Sequence, residues 1–319
     1  MAQHFLLSAA ARSLSLAKVM RMTEDQAFDA FRSIRWAETD GDAVCPRCGC
    51  CEAYTFKARR IFKCRGCGAQ FSVTSGTIFA SRKMDLRDIL AAIAIFVNGA
   101  KGHSALQLSR DLDCQYKTAF VLAHKIREAL AAEQRACTIE GEVEVDGAYF
   151  GGYVKPANRR EDRKDRRKKI HQTGKRQVVV VARERGADGE TLTHVAQSEG
   201  EGVPFVLGNV QPGTTIHADE AGHWDALEAK FLTKRINHSV EYSSAESCTN
   251  MAESFFSRLR RAEIGTHHHI AGPYLSAYAM EMAWREDNRR ISNGEQFLLA
   301  TASALAHPVS RQWKGYWQR

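Results

Sequence analysis

Residues 141–152 read GEVEVDGAYFGG. The alternation is that of a β-strand: Val143 and Val145 fall on one side, Glu142, Glu144 and Asp146 on the other. Downstream, RQVVVVARER (176–185) is a near-continuous apolar run, the pattern of a strand covered on both faces. TLTHVAQS (191–198) reads as a third strand and VPFVLGNV (203–210) as a short helix. TTIHADEAGHWDALEAKF (214–231) reads as a strand ending at Asp219 and then a helix, and INHSVEY (236–242) as a fifth strand. TNMAESFFSRLRR (249–261) opens a helix with Thr249 as candidate N-cap. This order predicts an α/β domain, a mixed five-stranded sheet with flanking helices.

The same segments carry three carboxylates of interest. Asp146 and Asp219 lie near strand ends, where reacting groups collect in such sheets, and Glu253 lies in the first turns of a helix. Along that helix Ala252, Phe255, Phe256 and Leu259 form an apolar stripe, while Asn250, Glu253, Ser257 and Arg260 form an adjacent polar one. Three converging carboxylates repel one another unless cations lie between them. Two Mg²⁺ (or Mn²⁺) ions about 4 Å apart answer that repulsion and suit phosphodiester chemistry. Glu144, on the strand face of Asp146, and Glu220, next to Asp219, compete as ligands. A strand-end Asp is ordinarily a turn or cap residue and a helical Glu is ordinarily solvated, so the set carries the argument.

Upstream, residues 45–68 read CPRCGCCEAYTFKARRIFKCRGCG, with Cys45/Cys48 and Cys64/Cys67 separated by fifteen residues. Two such knuckles supply the four thiolates of a structural Zn²⁺ site. The stretch between them alternates like a short hairpin, as in a zinc ribbon. Cys50 and Cys51 are alternative ligands with less symmetric spacing. Cys114, Cys137 and Cys248 read as small buried hydrophobes. Such a ribbon either staples a small fold or contacts DNA.

Three helix patterns follow: about 85–98, a second opening at Ser104 over ALQLSRDL, and a third over 116–131 after a turn at Asp113-Cys114. In the third, Ala119, Leu122, Ile126 and Leu130 face a core. Lys117, Thr118, Val121 and Lys125 face outward, as on the recognition helix of a helix-turn-helix. The plainer alternative is a three-helix bundle with a solvated basic face.

Residues 155–176 hold eleven Lys/Arg against three Asp/Glu, a local net of +8 that equals the formal charge of the whole 319-residue chain. Arg166, Arg167, Lys168 and Lys169 form its densest run. A segment this polar is a solvated loop or a clamp for phosphates, and its place inside a predicted hairpin favours the clamp. Hydrophobic residues make up 44% of the chain, enough for real cores. The longest apolar run, ILAAIAIFV (89–97), is about half of a membrane span. The N-terminus lacks Lys or Arg before FLLSAAA and reads as an ordinary helix rather than a signal segment.

Several blocks, in this order, resemble an insertion-sequence transposase of the DDE class, specifically the ISXO-like group. RWAETDGDAVCPRCG, KCRGCGAQFSVTSGTIF and ALQLSRDLDCQYKTAFVLAHKIREAL resemble its zinc ribbon and following helices. VEVDGAYFGG, HADEAGHW and TNMAESFFSRLRR resemble its catalytic blocks, and YLSAYAMEMAWREDNRR its closing helix. The resemblance implies an RNase H-like fold with Asp146, Asp219 and Glu253 as the metal-binding triad, thirty-three residues separating the last two. It also makes Asn250 a rival third residue, because the family sometimes uses Asn there. Arg260 stands where the family often has Lys, and Gly147 where it frequently has Glu.

The function implied is transposition: binding of terminal inverted repeats, then metal-dependent strand cleavage and strand transfer on DNA. Arg260, His217, Lys117, Thr118, Lys125 and the basic loop are candidate DNA contacts. The partners implied are element ends and target DNA, a homodimer or higher oligomer is expected on DNA, and no membrane is. The expected location is a bacterial cytoplasm, nucleoid-associated. A DNA-binding regulator with an inactive RNase H-like domain, and a nuclease that does not join strands, are the rival readings. The organisation expected is an N-terminal helical segment (1–40), zinc ribbon (41–80), helix-turn-helix-like module (81–135), catalytic domain (138–290) and C-terminal tail (291–319).

Overall fold

The computed structural model describes residues 5–134, 138–151, 157–164, 176–186, 188–236 and 248–318. The chain forms two compact units, Met1–Glu133 with Asn288–Arg319, and Gln134–Asp287.

The first unit opens with α1 (Leu16–Met20) and α2 (Glu24–Arg35). Thr23 accepts from Gln26 N while the Gln26 side chain accepts from Thr23 N, a capping box that starts α2. Next come β1 (Ala53–Phe56), β2 (Ile61–Cys64) and β3 (Gln70–Ser72), an antiparallel sheet whose first hairpin is the expected one between the cysteine knuckles. Phe28 and Trp36 pack on Phe62 of β2, so α2 and the small sheet share an aromatic core.

Then α3 (Leu86–Asn98), α4 (Ala105–Asp111) and α5 (Tyr116–Gln134) follow at the expected places. Ser104 caps α4 by accepting from Gln107 N at 3.1 Å. Asp113 takes φ 47° between α4 and α5, a left-handed conformation that Asp tolerates where Gly is usual. Residues 89–97 of α3 are all buried, so the longest apolar run is a core helix. Among the described residues no helix is long and apolar enough to cross a membrane.

The second unit is a five-stranded sheet built from β4 (Glu142–Gly151), β5 (Arg176–Glu184), β6 (Thr191–Ala196), β7 (Thr215–Asp219) and β8 (Leu232–Ile236), in the order β6-β5-β4-β7-β8. β6, β5 and β4 are antiparallel neighbours, and β7 and β8 add in parallel. This is the mixed sheet of an RNase H-like domain. Its helices are α6 (Val203–Asn209), α7 (Asn250–Ala262) and α8 (Leu275–Asp287). Val178, Val180 and Ala182 of β5 join Val143, Val145, Val206 and Trp224 in one core, while Val179 and Val181 join Ala148, Phe150 and the apolar faces of α7 and α8 in another. The continuous apolar run of β5 is therefore covered on both faces, as expected.

Three expectations need correction. The fifth strand is Leu232–Ile236, earlier than INHSVEY, of which residues 237–242 lie outside the described residues. The segment after Asp219 is a 3-10 turn, Gly222–Leu227, that buries Trp224 and Leu227. Residues 291–319 are not a tail: they hold α9 (Asn293–Ala306), which packs on α2 and α3 of the first unit.

One buried ionic cluster ties α8 to the sheet. Arg183 of β5 is 1% exposed; it lies 2.9 Å from Glu286, pairs with Asp287 and donates to Thr191 of β6. Arg258 of α7 also pairs with Glu286. Removing the guanidinium leaves Glu286 and Asp287 short of positive charge in a buried place, which costs about 3–5 kcal/mol in such settings. Arg183→Met is expected near the lower figure, because Arg258 still reaches Glu286. Urea denaturation of the isolated variant measures it.

Candidate active site and zinc ribbon

The zinc ribbon is complete in its donor atoms. Cys45, Cys48, Cys64 and Cys67 have sulfurs within 4.8 Å of one another. Gly49 and Gly68 take φ 72° and 69°, and their N–H groups donate to Cys45 O and Cys64 O, which closes each knuckle. Four thiolates at this spacing fit tetrahedral Zn²⁺. Cys50 is half-buried and Cys51 exposed, both outside the quartet, so the symmetric spacing chose correctly.

In the second unit each carboxylate is placed by a different element. Glu144–His217 is the last pair that β4 makes with β7. From Val145 onward β4 pairs with β5 alone, while β7 continues to Asp219 beside β8. The two strands part there, with Asp146 and Asp219 just past the parting. Both point to the face covered by α7, because Val145 and Ala218 beside them point to the opposite core. Glu253 is exposed on α7 with Asn250, Ser257 and Arg260, while Ala252, Phe255, Phe256 and Leu259 are buried, which is the expected division into two stripes.

Electrostatics link the groups. Burial pushes the Asp146 carboxyl up to about 7; the negative charges of Asp219, Glu199 and Glu253 push the same way, against a hydrogen bond from Gly147 N. Asp219 is held by accepting from Ala221 N at 3.2 Å. Among the described residues, the cysteine quartet is the only group of three or more Cys, His, Asp or Glu donors within 4.8 Å of one another. An all-oxygen donor set whose neighbouring negative charges raise Asp146 fits hard divalent cations.

Glu144 is not a competitor in this set. Its carboxylate is fully buried and accepts from Met251 N at 2.7 Å and Ala252 N at 3.0 Å. It thus caps the N-terminus of α7, a position where negative charge is favoured. Thr249 occupies the N-cap position as expected, but its side chain makes no cap hydrogen bond. Arg185 sits 3.4 Å from Glu144 and donates to Cys248, so Cys248 is buried beside charges rather than in an apolar core. Cys114 is half-buried, and Cys137 lies outside the described residues. His217 is fully buried between Glu142 and Arg185, which removes it from the candidate DNA contacts. Glu220 is exposed beside Asp219.

Residues 138–287 match the ISXO2-like transposase domain family, and residues 22–70 match the transposase zinc-ribbon domain. The chain carries an ISXO2-like transposase domain. It is also similar to an uncharacterized protein in transposable element ISH50 of Halobacterium salinarum, 24% identical over 274 residues, which are 81% of this chain and 90% of that one. No solved structure matches the chain.

In this transposase domain, Arg260 is exposed, its guanidinium 5.8 Å from the Phe150 ring. The basic segment joins β4 to β5, as expected, but Arg166, Arg167, Lys168 and Lys169 lie outside the described residues. In the first unit, Ala119, Leu122, Ile126 and Leu130 of α5 are buried, as expected, and Lys117 and Thr118 are exposed. The outward face of α5 is not open water, however. It forms a groove of about 480 Å³ with residues 79–84 and Trp313–Trp317. Trp317 Nε1 donates to Lys117 O at 3.3 Å, the Lys117 ammonium lies 5.2 Å from the Trp317 ring, and Lys125 is half-buried. A separation of 200 positions hides this pairing from local sequence patterns. Sequence reasoning does not find Glu199, because the two glutamates of SEGEG have no periodicity to mark either one.

Two outcomes test these sites. The purified protein is expected to hold one Zn²⁺, measured by atomic absorption; Cys64→Ser loses it and Cys51→Ser retains it. The raised Asp146 means the folded, cation-free state keeps a proton that the unfolded chain has already lost. Its stability therefore falls as pH rises from about 4 toward 7. A divalent cation is expected to raise the melting temperature more at pH 8 than at pH 6, and Asp146→Asn to flatten that difference.

Proposed function

We propose that this protein is a transposase that binds the terminal inverted repeats of an insertion sequence and catalyses DNA strand cleavage and strand transfer. What supports the proposal is that Asp146 and Asp219 lie just past the parting of β4 and β7, with the charges of Asp219 and Glu253 felt at Asp146, within a stretch that matches the ISXO2-like family. Asp146 and Asp219 lie on strands, and Glu253 lies on a helix whose first turn is anchored by Glu144. These three carboxylates would hold two Mg²⁺ or Mn²⁺ ions, which would activate the entering oxygen and stabilise the leaving one.

In the first step water forms a bond to phosphorus and the bond to the 3′-oxygen breaks, leaving a 3′-hydroxyl on the element end. In the second, that hydroxyl gives up its proton, its oxygen bonds to a target phosphorus, and the target 3′-oxygen departs. No covalent link to the protein is needed. Arg260 lies two turns beyond Glu253 on the same exposed stripe and binds a phosphate near the cut, although its fork differs from a lysine contact. The zinc ribbon with Lys117, Thr118 and Lys125 of α5 recognises the repeats. The basic segment with Arg166, Arg167, Lys168 and Lys169 clamps phosphates. Synchronous joining of two ends calls for a dimer or higher oligomer on DNA.

The test is incubation of the zinc-loaded protein with Mg²⁺ and labelled DNA carrying the element's ends. Joined products are expected. Cleavage without joining would make it a nuclease, and binding alone a regulator. Asp146→Asn and Asp219→Asn are expected to lower strand transfer by at least 10²-fold while repeat binding in a gel-shift assay persists. Glu253→Gln is expected to do the same; full activity there, with loss in Asn250→Ala, would transfer the third position to Asn250.

A further inference from the structure

A fourth carboxylate reaches this site from an element with no assigned part in it. Glu199 begins the 3-10 turn Glu199–Gly202, between β6 and α6. It is paired with His223, from the turn that follows Asp219, with Nε2 3.2 Å from Oε2. Both side chains are about three-quarters buried, at 23% and 24% exposure.

What lets Glu199 in is Gly147. A Cβ built on Gly147 would meet Glu199 Cγ at 2.5 Å, Cδ at 3.0 Å and Oε1 at 3.0 Å. No real side chain tolerates the first of these distances, so the carboxylate arm of Glu199 occupies space that any other residue at 147 would take. Gly147 has ordinary negative φ, and the requirement is for room rather than for backbone freedom. Gly147 directly follows Asp146, and His223 lies four residues beyond Asp219. Gly147 faces the side of the sheet opposite to the Asp146 side chain, so Glu199 approaches the strand ends from that side, beside the chain segments that carry the two aspartates. Its charge is felt at Asp146, and that of Asp219 is felt at Glu199.

From this geometry we infer that Glu199 is a further oxygen ligand for the divalent cation bound by Asp146 and Asp219, admitted by Gly147 and positioned by His223. The inference rests on the triad reading above. A purely structural Glu199–His223 pair would bridge two turns but leave cation affinity untouched. As a ligand, Glu199 adds one negative charge to the site, and ligand charge tunes affinity for hard cations.

The experiment is Mn²⁺ titration of the full-length, zinc-loaded protein by isothermal calorimetry, with electron paramagnetic resonance counting free Mn²⁺. Glu199→Gln preserves size and is expected to weaken Mn²⁺ binding on the order of tenfold, as is Gly147→Ala, which displaces the arm. His223→Gln is expected to weaken it less. Melting temperature and circular dichroism confirm that each variant is folded; should Gly147→Ala fail to fold, Glu199→Gln and Glu199→Ala decide alone. Unchanged Mn²⁺ affinity in folded Glu199→Gln, with Asp146→Asn deficient, overturns the role of Glu199 and leaves the triad standing. Unchanged affinity in Asp146→Asn overturns the triad itself, and the role of Glu199 with it.

Discussion

The hydrogen bonds from Met251 N and Ala252 N to the buried carboxylate of Glu144 join the central strand to the helix that carries Glu253. A helix start leaves four N–H groups without partners, and buried ones are costly. Here a strand supplies the acceptor that Thr249 does not. The ionised form of Glu144 is opposed by burial and favoured by those two donors and by Arg185. Charge on Glu144 and the position of α7 therefore favour one another. The apolar stripe of Phe255, Phe256 and Leu259 then fixes the rotation of α7 on the sheet. Its polar stripe is left facing the opening between β4 and β7.

That opening follows from sheet topology. β4 pairs with β5 along nine positions but with β7 along only three. Where the second pairing stops, backbone gives way to side chains, and Asp146 and Asp219 become neighbours of a space rather than of each other's strand. Concentrating negative charge there works against folding, and the upward push on Asp146 is its electrostatic signature. Without a cation nearby, that burial and charge favour the protonated form of Asp146; a bound cation would favour the ionised one.

The first unit solves different problems. The small ribbon has little core of its own, and Phe28, Trp36, Phe62 and Phe71 extend it into α2. The four sulfurs then stand together at the end of the hairpin. Around α5, Phe120 and His124 meet Trp313, and Phe120 also meets Tyr316 and Trp317, so the end of the chain is part of this helical unit. The basic face of α5 is thereby shaped into a groove with aromatic walls.

Local chemistry was legible residue by residue. The cysteine spacing marked the quartet, the period of β5 marked a doubly covered strand, and the two stripes of α7 separated buried from exposed positions. The sequence by itself determined those features because each depends on neighbours a few residues apart. Long-range pairing alone decided the rest. Glu144 and Asp146 share a strand face and a residue type, yet one caps a helix 107 residues away and the other faces the opening. Glu199 takes its place only because Gly147 lacks a side chain, and Trp317 lies against Lys117 from two hundred positions away. A carboxylate's role is set by what surrounds it in space, and chain-distant surroundings leave no periodicity to read.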